Sequence, residues 1–261
     1  MDSVLTTSDL LDVWERSLNE RPLQRAINLL ASIHLEASLE QIKALPVGER
    51  DIRLMEIREA LFGRHLTCVT SCPQCGEKLE LALDLAQMRS SEPKPAHLFE
   101  RMAVEVAGRS SAAFLPYTLT VEDCDIQFRL PNSADMLAIA NLPTARQARQ
   151  TLLERCVQQA TQGGRPIAVV DLPDKVVESV SNQMAQNDPQ ADIQIELSCP
   201  ACAWQWSAPF DIISTLWIEI NAWAIRLLGD VHKIASNYGW CEADILALSP
   251  MRRQFYLEQI G

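Results

Sequence analysis

Two Cys-x-x-Cys pairs constrain the fold of this chain more than any other feature of its sequence. Cys72 and Cys75 form the first pair, and Cys199 and Cys202 form the second, so 199 − 75 − 1 = 123 residues separate them. Each pair has a proline after its first cysteine, and strand-forming residues flank both. Such a turn places two thiolates on one side of a tetrahedral metal ion. The sequence therefore predicts one structural zinc site with these four cysteines as ligands.

The separation between the pairs decides the predicted architecture. In the usual four-cysteine signature the pairs are about 15 to 20 residues apart, so the longer spacer is interpreted as an insertion between two hairpins of one zinc ribbon. Proline restricts the backbone in each turn, and the residue after the second cysteine favours a left-handed conformation. Gly76 suits that conformation better than Ala203 at the matched position. A closed four-thiolate site is expected to stabilise the fold without catalysis.

Three other interpretations of these cysteines stay open at the level of sequence. The pairs can be unrelated turns with buried free thiols. A thioredoxin-like redox pair is a second alternative, although that motif should open a helix, and residues 79–85 alternate as a strand does. His65 and Cys68 lie upstream at a spacing compatible with metal binding, and are interpreted as bystanders on the entering strand. No role is assigned to the remaining cysteines, which are Cys124, Cys156 and Cys241.

Composition places the chain among soluble proteins with a substantial core. With 48% hydrophobic residues among 261, it can bury enough apolar surface to fold without disulfides. The net charge of −11 disfavours attraction to phosphate backbones, so nucleic acid is not an expected partner. No apolar run is expected to span a membrane, and residues 1–9 lack the pattern of a signal peptide. We expect a cytoplasmic protein, in which paired cysteines favour metal over disulfides.

Hydrophobic periodicity predicts an α+β fold that is mostly helical. The expected domains are an N-terminal helical region (1–64), a split zinc ribbon (65–87 plus 192–209), a mixed α/β insertion (88–191) and a C-terminal helical region (210–261). Within the insertion, the predicted strands lie at 102–106, within 118–130 and at 167–170. A helix is predicted over 144–162, where Gly163 and Gly164 end it.

Signatures of catalysis are absent from the sequence. It contains no glycine-rich phosphate loop, no Gly-x-Ser-x-Gly elbow and no His-Glu-x-x-His motif. The chain is therefore predicted not to be an enzyme, although an unrecognised site in the insertion stays open. The alternative function is that of a zinc ribbon that binds nucleic acid or serves transcription, which requires a basic stripe. Residues 76–85 instead hold three carboxylates against Lys78.

Five stretches of the chain together carry a family resemblance. They are 11–15 (LDVWE), 45–51 (LPVGERD), 72–76 (CPQCG), 128–135 (FRLPNSAD) and the tail over 231–253. In these stretches the chain resembles the baseplate hub assembly chaperone family of T-even-like contractile-tailed phages and related contractile injection systems. The resemblance implies a non-enzymatic assembly factor or structural adaptor that binds other baseplate, hub, spike or tail-tube proteins and can enter a phage-tail-like particle. It does not imply zinc, because members differ in having the cysteine pairs.

Overall fold

A computed structural model describes residues 6–33, 37–89 and 116–260 of the chain. The chain divides into two units, of which the first combines residues 1–38 with 211–261 and the second comprises residues 39–210. The fold is mixed α+β and 58% helical, which confirms the predicted class. The predicted strand at 102–106 lies outside the described residues.

Helical and strand-rich blocks follow one another along the chain. In order, the described elements are α1 (Thr7–Ser17), α2 (Pro22–Ile33), α3 (Leu39–Ala44), α4 (Val47–Phe62), β1 (His65–Ser71), β2 (Lys78–Asp84), α5 (Leu85–Met88), β3 (Tyr117–Val121), β4 (Cys124–Phe128), α6 (Ser133–Ile139), α7 (Ala145–Cys156), β5 (Val157–Gln162), β6 (Arg165–Pro166), α8 (Asp174–Asn187), β7 (Gln194–Ser198), β8 (Gln205–Pro209), α9 (Ile212–Tyr238), α10 (Glu242–Leu246) and α11 (Pro250–Ile260). Two short 3-10 helices, Val169–Asp171 and Pro189–Ala191, flank α8.

The long helix α9 organises the first unit. Its buried residues recur every three or four positions and so share one face, which packs against α1, α2 and α11. Trp14 of α1 donates its indole N–H to the Asn221 side chain at 3.0 Å. The guanidinium of Arg25, from α2, lies 4.4 Å from the centre of the Trp217 ring. Apolar burial and these two polar contacts together hold α1 and α2 on α9.

Helix α9 is also the single helix, among the residues the structure describes, that is long and apolar enough to cross a membrane. This finding differs from the sequence expectation that no stretch could do so. Length and composition are weak indicators for one helix, because core helices of soluble proteins pass the same test. The helix carries charged residues, including Arg226 and Lys233, on its exposed side.

The described part of the insertion forms a four-stranded antiparallel sheet in the order β3-β4-β5-β6. The helix predicted over 144–162 is wrong over its last six residues, because α7 ends at Cys156 and β5 begins at once. Gly163 and Gly164, with φ of 55° and 76°, form the two-residue turn into β6. Pairing with β4 buries Val157 and Ala160, and this tertiary contact overrides the local helical pattern.

The strand predicted at 167–170 is also wrong. Sheet pairing ends at Pro166, and the chain continues into the 3-10 helix Val169–Asp171. Ile167 and Val169 pack against a core formed by β4, β5, α7 and α8, in which Leu172 is buried. These residues are apolar because they cover that core, and the sequence pattern alone does not distinguish this from strand pairing.

Two stretches that carry the family resemblance meet in the second unit. An isolated antiparallel bridge joins Pro46, from LPVGERD, to Asn132, from FRLPNSAD. The Gly48 N–H, in the first turn of α4, donates to the buried Asp188 carboxylate at 2.9 Å. A negative acceptor satisfies an N–H that the start of a helix leaves without an intrahelical partner. The two stretches are therefore parts of one folded region that also includes the end of α8.

A buried carboxylate orders the start of α6. Asp135 is fully buried, and it accepts hydrogen bonds from the Arg129 guanidinium and from Arg155 Nε, the latter at 2.8 Å. Asn132 and Asp135 also cap each other, since each side chain accepts from the other's backbone N–H. Burial raises the pKa of Asp135, but the hydrogen bonds from Arg129, Asn132 and Arg155 outweigh burial and hold the pKa below its usual value.

An Asp135→Asn variant is expected to lower the free energy of unfolding by about 2 kcal/mol near neutral pH, because two guanidinium groups lose their anionic partner while staying partly exposed. The folded pKa lies below the unfolded value of about 3.9. The carboxylate's contribution is therefore present above the unfolded pKa and is lost as pH falls through the folded pKa. Urea unfolding of both proteins between about pH 7 and pH 3 measures this. A stability difference that did not shrink with falling pH would contradict the assignment.

Candidate metal centre

The four cysteines of the two pairs come together at the tips of two hairpins. Strands β1 and β2 pair antiparallel on either side of the first pair, and β7 and β8 do so around the second. All four Sγ atoms lie within 4.8 Å of one another. The Sγ atoms of Cys72 and Cys202 are 3.7 Å apart, and those of Cys75 and Cys199 are 3.6 Å apart. Pairs that are remote in sequence thus form a single cluster.

Matched backbone hydrogen bonds shape the two turns. In the first turn, the Cys72 N–H donates to the Glu77 carbonyl at 2.8 Å, and the Gly76 N–H donates to the Cys72 carbonyl at 2.9 Å. The second turn repeats both bonds with the same lengths, through Cys199, Trp204 and Ala203. Each hairpin therefore presents its two thiols from the same backbone geometry.

The residue after each second cysteine takes the left-handed conformation expected from the sequence. The φ angle is 76° at Gly76 and 58° at Ala203. Glycine adopts this conformation freely, whereas the Cβ of alanine makes it less favourable by about 1 kcal/mol. Surrounding contacts must hold an alanine in such a conformation. Here the hydrogen bond from the Ala203 N–H to the Cys199 carbonyl helps to hold Ala203 in the left-handed conformation.

Sulfur spacing fits a tetrahedral metal ion. Four thiolates bound at about 2.3 Å from zinc lie about 3.8 Å from one another. The two closest measured separations are 3.6 and 3.7 Å, whereas a disulfide requires about 2.05 Å. Within the described ranges, this is the one group of three or more His, Cys, Asp or Glu residues placed to share a metal ion. The four thiols can therefore hold zinc, and a four-sulfur tetrahedron also suits iron.

One cysteine of each pair is buried and the other is exposed. Cys72 and Cys199 are both 2% exposed, and Leu79 is buried beside them. The partly buried Leu81 and Trp206 pack against the same cluster from β2 and β8. Apolar side chains thus exclude water from the inner side of the cluster. The outer cysteine of each pair faces solvent.

The thiols of the cluster differ in pKa, because they form hydrogen bonds with one another and with nearby backbone N–H groups. Burial raises the pKa of Cys72, but the N–H groups of Cys75 and Gln74 and the thiols of Cys75 and Cys202 outweigh burial and lower that pKa to about 7. The Glu77 N–H lowers the pKa of Cys75, but neighbouring thiols, that of Cys202 first, together with burial raise it to about 12. Like charges so close together disfavour ionising all four thiols. A bound dication would supply the compensating charge.

The other cysteines and the upstream histidine lie apart from the cluster. Cys68, in β1 opposite Leu81, and His65, at the start of the same strand, are not among the four clustered ligands. Cys156 is buried in the core of the insertion, and burial first, with Asp135 next, raises its pKa to about 12. The two that remain are Cys124, buried in that core, and Cys241, exposed before α10.

Sequence reasoning missed Glu77 and Trp204, each of which is the second residue after a cysteine pair. Glu77 and Trp204 hold matched positions, and the carbonyl of each accepts the N–H of the first cysteine in its turn. Both side chains are exposed. The sequence signal is an alignment of residues 71–78 (SCPQCGEK) with residues 198–205 (SCPACAWQ) on their cysteines. This alignment places Glu77 at the same position as Trp204.

Comparison with known proteins supplies a family match. The model of a family described as T4 bacteriophage base plate protein matches residues 6–212. The matched range includes both cysteine pairs and the LPVGERD and FRLPNSAD stretches, and it ends at the first residue of α9. No curated protein and no solved structure matches the chain.

Proposed function

The chain belongs to the T4 bacteriophage base plate protein family, and from this premise we propose that it is a non-enzymatic assembly factor or structural adaptor for the baseplate hub. The match over residues 6–212 is the observation that carries the proposal, because it covers most of the chain. The family itself supports a structural or assembly role in the baseplate and association with the phage particle. Assembly of the hub is the more specific part of the proposal.

A structural zinc ion is part of this proposal. Its ligands would be Cys72, Cys75, Cys199 and Cys202, and the sulfur spacing and free thiols support this assignment. The two hairpins would then form one split zinc ribbon that tethers both ends of the long spacer. Bound zinc would supply structural stabilisation, since four thiolates leave no position for water or substrate.

Charge favours protein partners over nucleic acid. The exposed carboxylates Glu77, Glu80 and Glu196 lie on the two hairpins, where Lys78 is the exposed cation of the described strands and turns. The whole chain has a net charge of −11. A surface of this kind repels phosphate backbones. The partners we propose are other baseplate, hub, spike or tail-tube proteins.

Co-expression tests this function. The chain is produced with a tag alongside the hub, spike and tube proteins encoded in the same tail locus, with the sheath protein of that locus as a control. We expect a complex with a hub, spike or tube protein that survives gel filtration at physiological salt. Purification of the chain alone from every combination, together with salt-sensitive binding to DNA or RNA in fluorescence anisotropy, would instead favour the nucleic-acid alternative.

A further inference from the structure

The two turns of the cysteine cluster present different side chains at matched positions. Glu77 lies two residues after Cys75, and Trp204 lies two residues after Cys202. The Sγ atoms of these two exposed cysteines are within 4.8 Å of each other. The Glu77 and Trp204 carbonyls each accept a backbone N–H at 2.8 Å. Both residues are therefore anchored, through short turns, to the same cluster of four sulfur atoms.

Trp204 is available for contact with another molecule. Trp204 is 49% exposed, and within the described chain its ring has no aromatic or cationic partner. Trp206, two residues further along, packs instead against the cluster. The ring of Trp217 contacts the Arg25 guanidinium. An exposed tryptophan on a fixed backbone loses little conformational entropy on binding, and tryptophan is enriched among the residues that dominate interface energies.

Exposed carboxylates outnumber exposed cations on the two hairpins that hold the cluster, where Lys78 is the exposed cation of the described strands and turns. Glu77 is exposed, and it has no ion-pair partner among the residues that the structure describes. Glu80 and Glu196 add exposed carboxylates on the outer faces of β2 and β7. The face of an indole ring attracts cations, and a carboxylate binds guanidinium or ammonium groups through charge-assisted hydrogen bonds. The indole and the carboxylate, both anchored to one cluster, are therefore each complementary to a cationic side chain.

We propose that Glu77 and Trp204 form a docking surface for a basic segment of another baseplate protein, in which arginine or lysine side chains contact the carboxylate and the indole. This inference rests on the proposed function, because it names the surface and the partner chemistry through which that function operates. The carboxylates disfavour nucleic acid at this surface, and a second copy of a chain with a net charge of −11 is repelled overall. Because the cysteine cluster fixes both turns, docking depends on an intact cluster.

The test measures binding to the baseplate protein that co-purifies with the wild-type chain, by isothermal titration. Trp204→Ala is expected to weaken binding about 30-fold, as for an interface hot spot. Glu77→Gln should weaken it about 5- to 10-fold and reduce the salt dependence of the affinity. Phe255→Ala is the matched control, since it removes a 58% exposed ring from the other unit and should change the affinity less than about twofold.

Metal content and thermal unfolding are measured first, so that weaker binding is not confused with a lost fold. If Trp204→Ala fails to hold metal, Glu77→Gln keeps the test decisive, because its backbone contact to Cys72 is unchanged. Unaltered affinity in the folded variants would overturn the docking surface and leave the baseplate function standing. Failure of the wild-type chain to bind any baseplate protein would overturn both. Unaltered affinity after replacement of the partner's arginines and lysines by glutamine would overturn the proposed occupant.

Discussion

A Cys202→Ser variant is expected not to hold the proposed zinc ion and to open both hairpins to proteolysis. Cys202 is exposed, so replacing its sulfur leaves no internal cavity, and the effect isolates its role as a ligand. In zinc-finger peptides the ion contributes about 10 to 16 kcal/mol, on the scale of the entire stability of a domain, which is about 5 to 15 kcal/mol. Elemental analysis of the purified chain and the rate of protease cleavage within residues 72–78 and 199–205 measure the two effects.

Cys241→Ser is the matched control for this variant. Cys241 is also exposed, but it belongs to the other unit, where its Sγ donates to the Asp244 carboxylate at 3.0 Å. The control should retain both zinc and protection from proteolysis. Chelation of the wild-type protein should reproduce the Cys202→Ser pattern, and added zinc should reverse it. Zinc far below one ion per chain in freshly purified wild-type protein, or iron in its place, would contradict the proposed zinc centre.

A Gly48→Ala variant is expected to lower the free energy of unfolding by about 3 to 5 kcal/mol, from overpacking and a lost hydrogen bond to a charged acceptor. A Cβ atom at this position would overlap the Asp188 carboxylate and lie 2.9 Å from the Ala191 backbone nitrogen. The second contact is with backbone and cannot be relieved by a rotamer change. Either α4 or the 3-10 helix Pro189–Ala191 must shift, which breaks the Gly48 hydrogen bond to Asp188. Urea unfolding of the whole chain measures the loss in the free energy of unfolding.

Gly229→Ala is the matched control for the glycine variant. Gly229 lies inside α9, where an added Cβ meets nothing within 4 Å, so the substitution should stabilise that helix by about 1 kcal/mol. Adding Asp188→Ala to Gly48→Ala removes the carboxylate atoms that clash with the new methyl group and leaves the contact with the Ala191 backbone nitrogen. The double variant should therefore lose less stability than the two single changes added together. A Gly48→Ala protein as stable as wild type would show that α4 and the segment after α8 are not packed closely.

The cysteine pairs show which features of this chain can be predicted from a few consecutive residues. A turn with two cysteines, a proline and a residue that tolerates a left-handed backbone needs only a few consecutive residues, so both turns could be predicted in detail. The structure brings Cys72, Cys75, Cys199 and Cys202 together, as the prediction of a shared site requires. The metal ion itself stays a prediction. Trp204 and Glu77 were missed because exposure depends on how the hairpins pack, which no short pattern reports.

The wrong helix prediction over residues 157–162 and the wrong strand prediction over residues 167–170 have the same cause. The six residues of β5 follow α7 without a break and contain three glutamines, so their local pattern continues the helix. Only pairing with β4, about 35 residues earlier in the chain, makes them a strand. Similarly, residues 167–170 form an apolar run whose partners are the core side chains of other elements. In both cases the residues are locally ambiguous, and a distant contact decides the outcome.

Taken alone, the sequence determined those features that nearest neighbours control: the helical regions at both ends of the chain, the two cysteine turns and the acidic charge. Tertiary structure decided which of these features meet. Gly48 binds a carboxylate 140 residues away, and Asp135 neutralises the guanidinium groups of Arg129, which precedes α6, and Arg155, which lies in α7. The physical reason is that periodicity and turn chemistry act over a few bonds, whereas burial of a charge or the fit of a glycine depends on the surfaces that folding brings into contact.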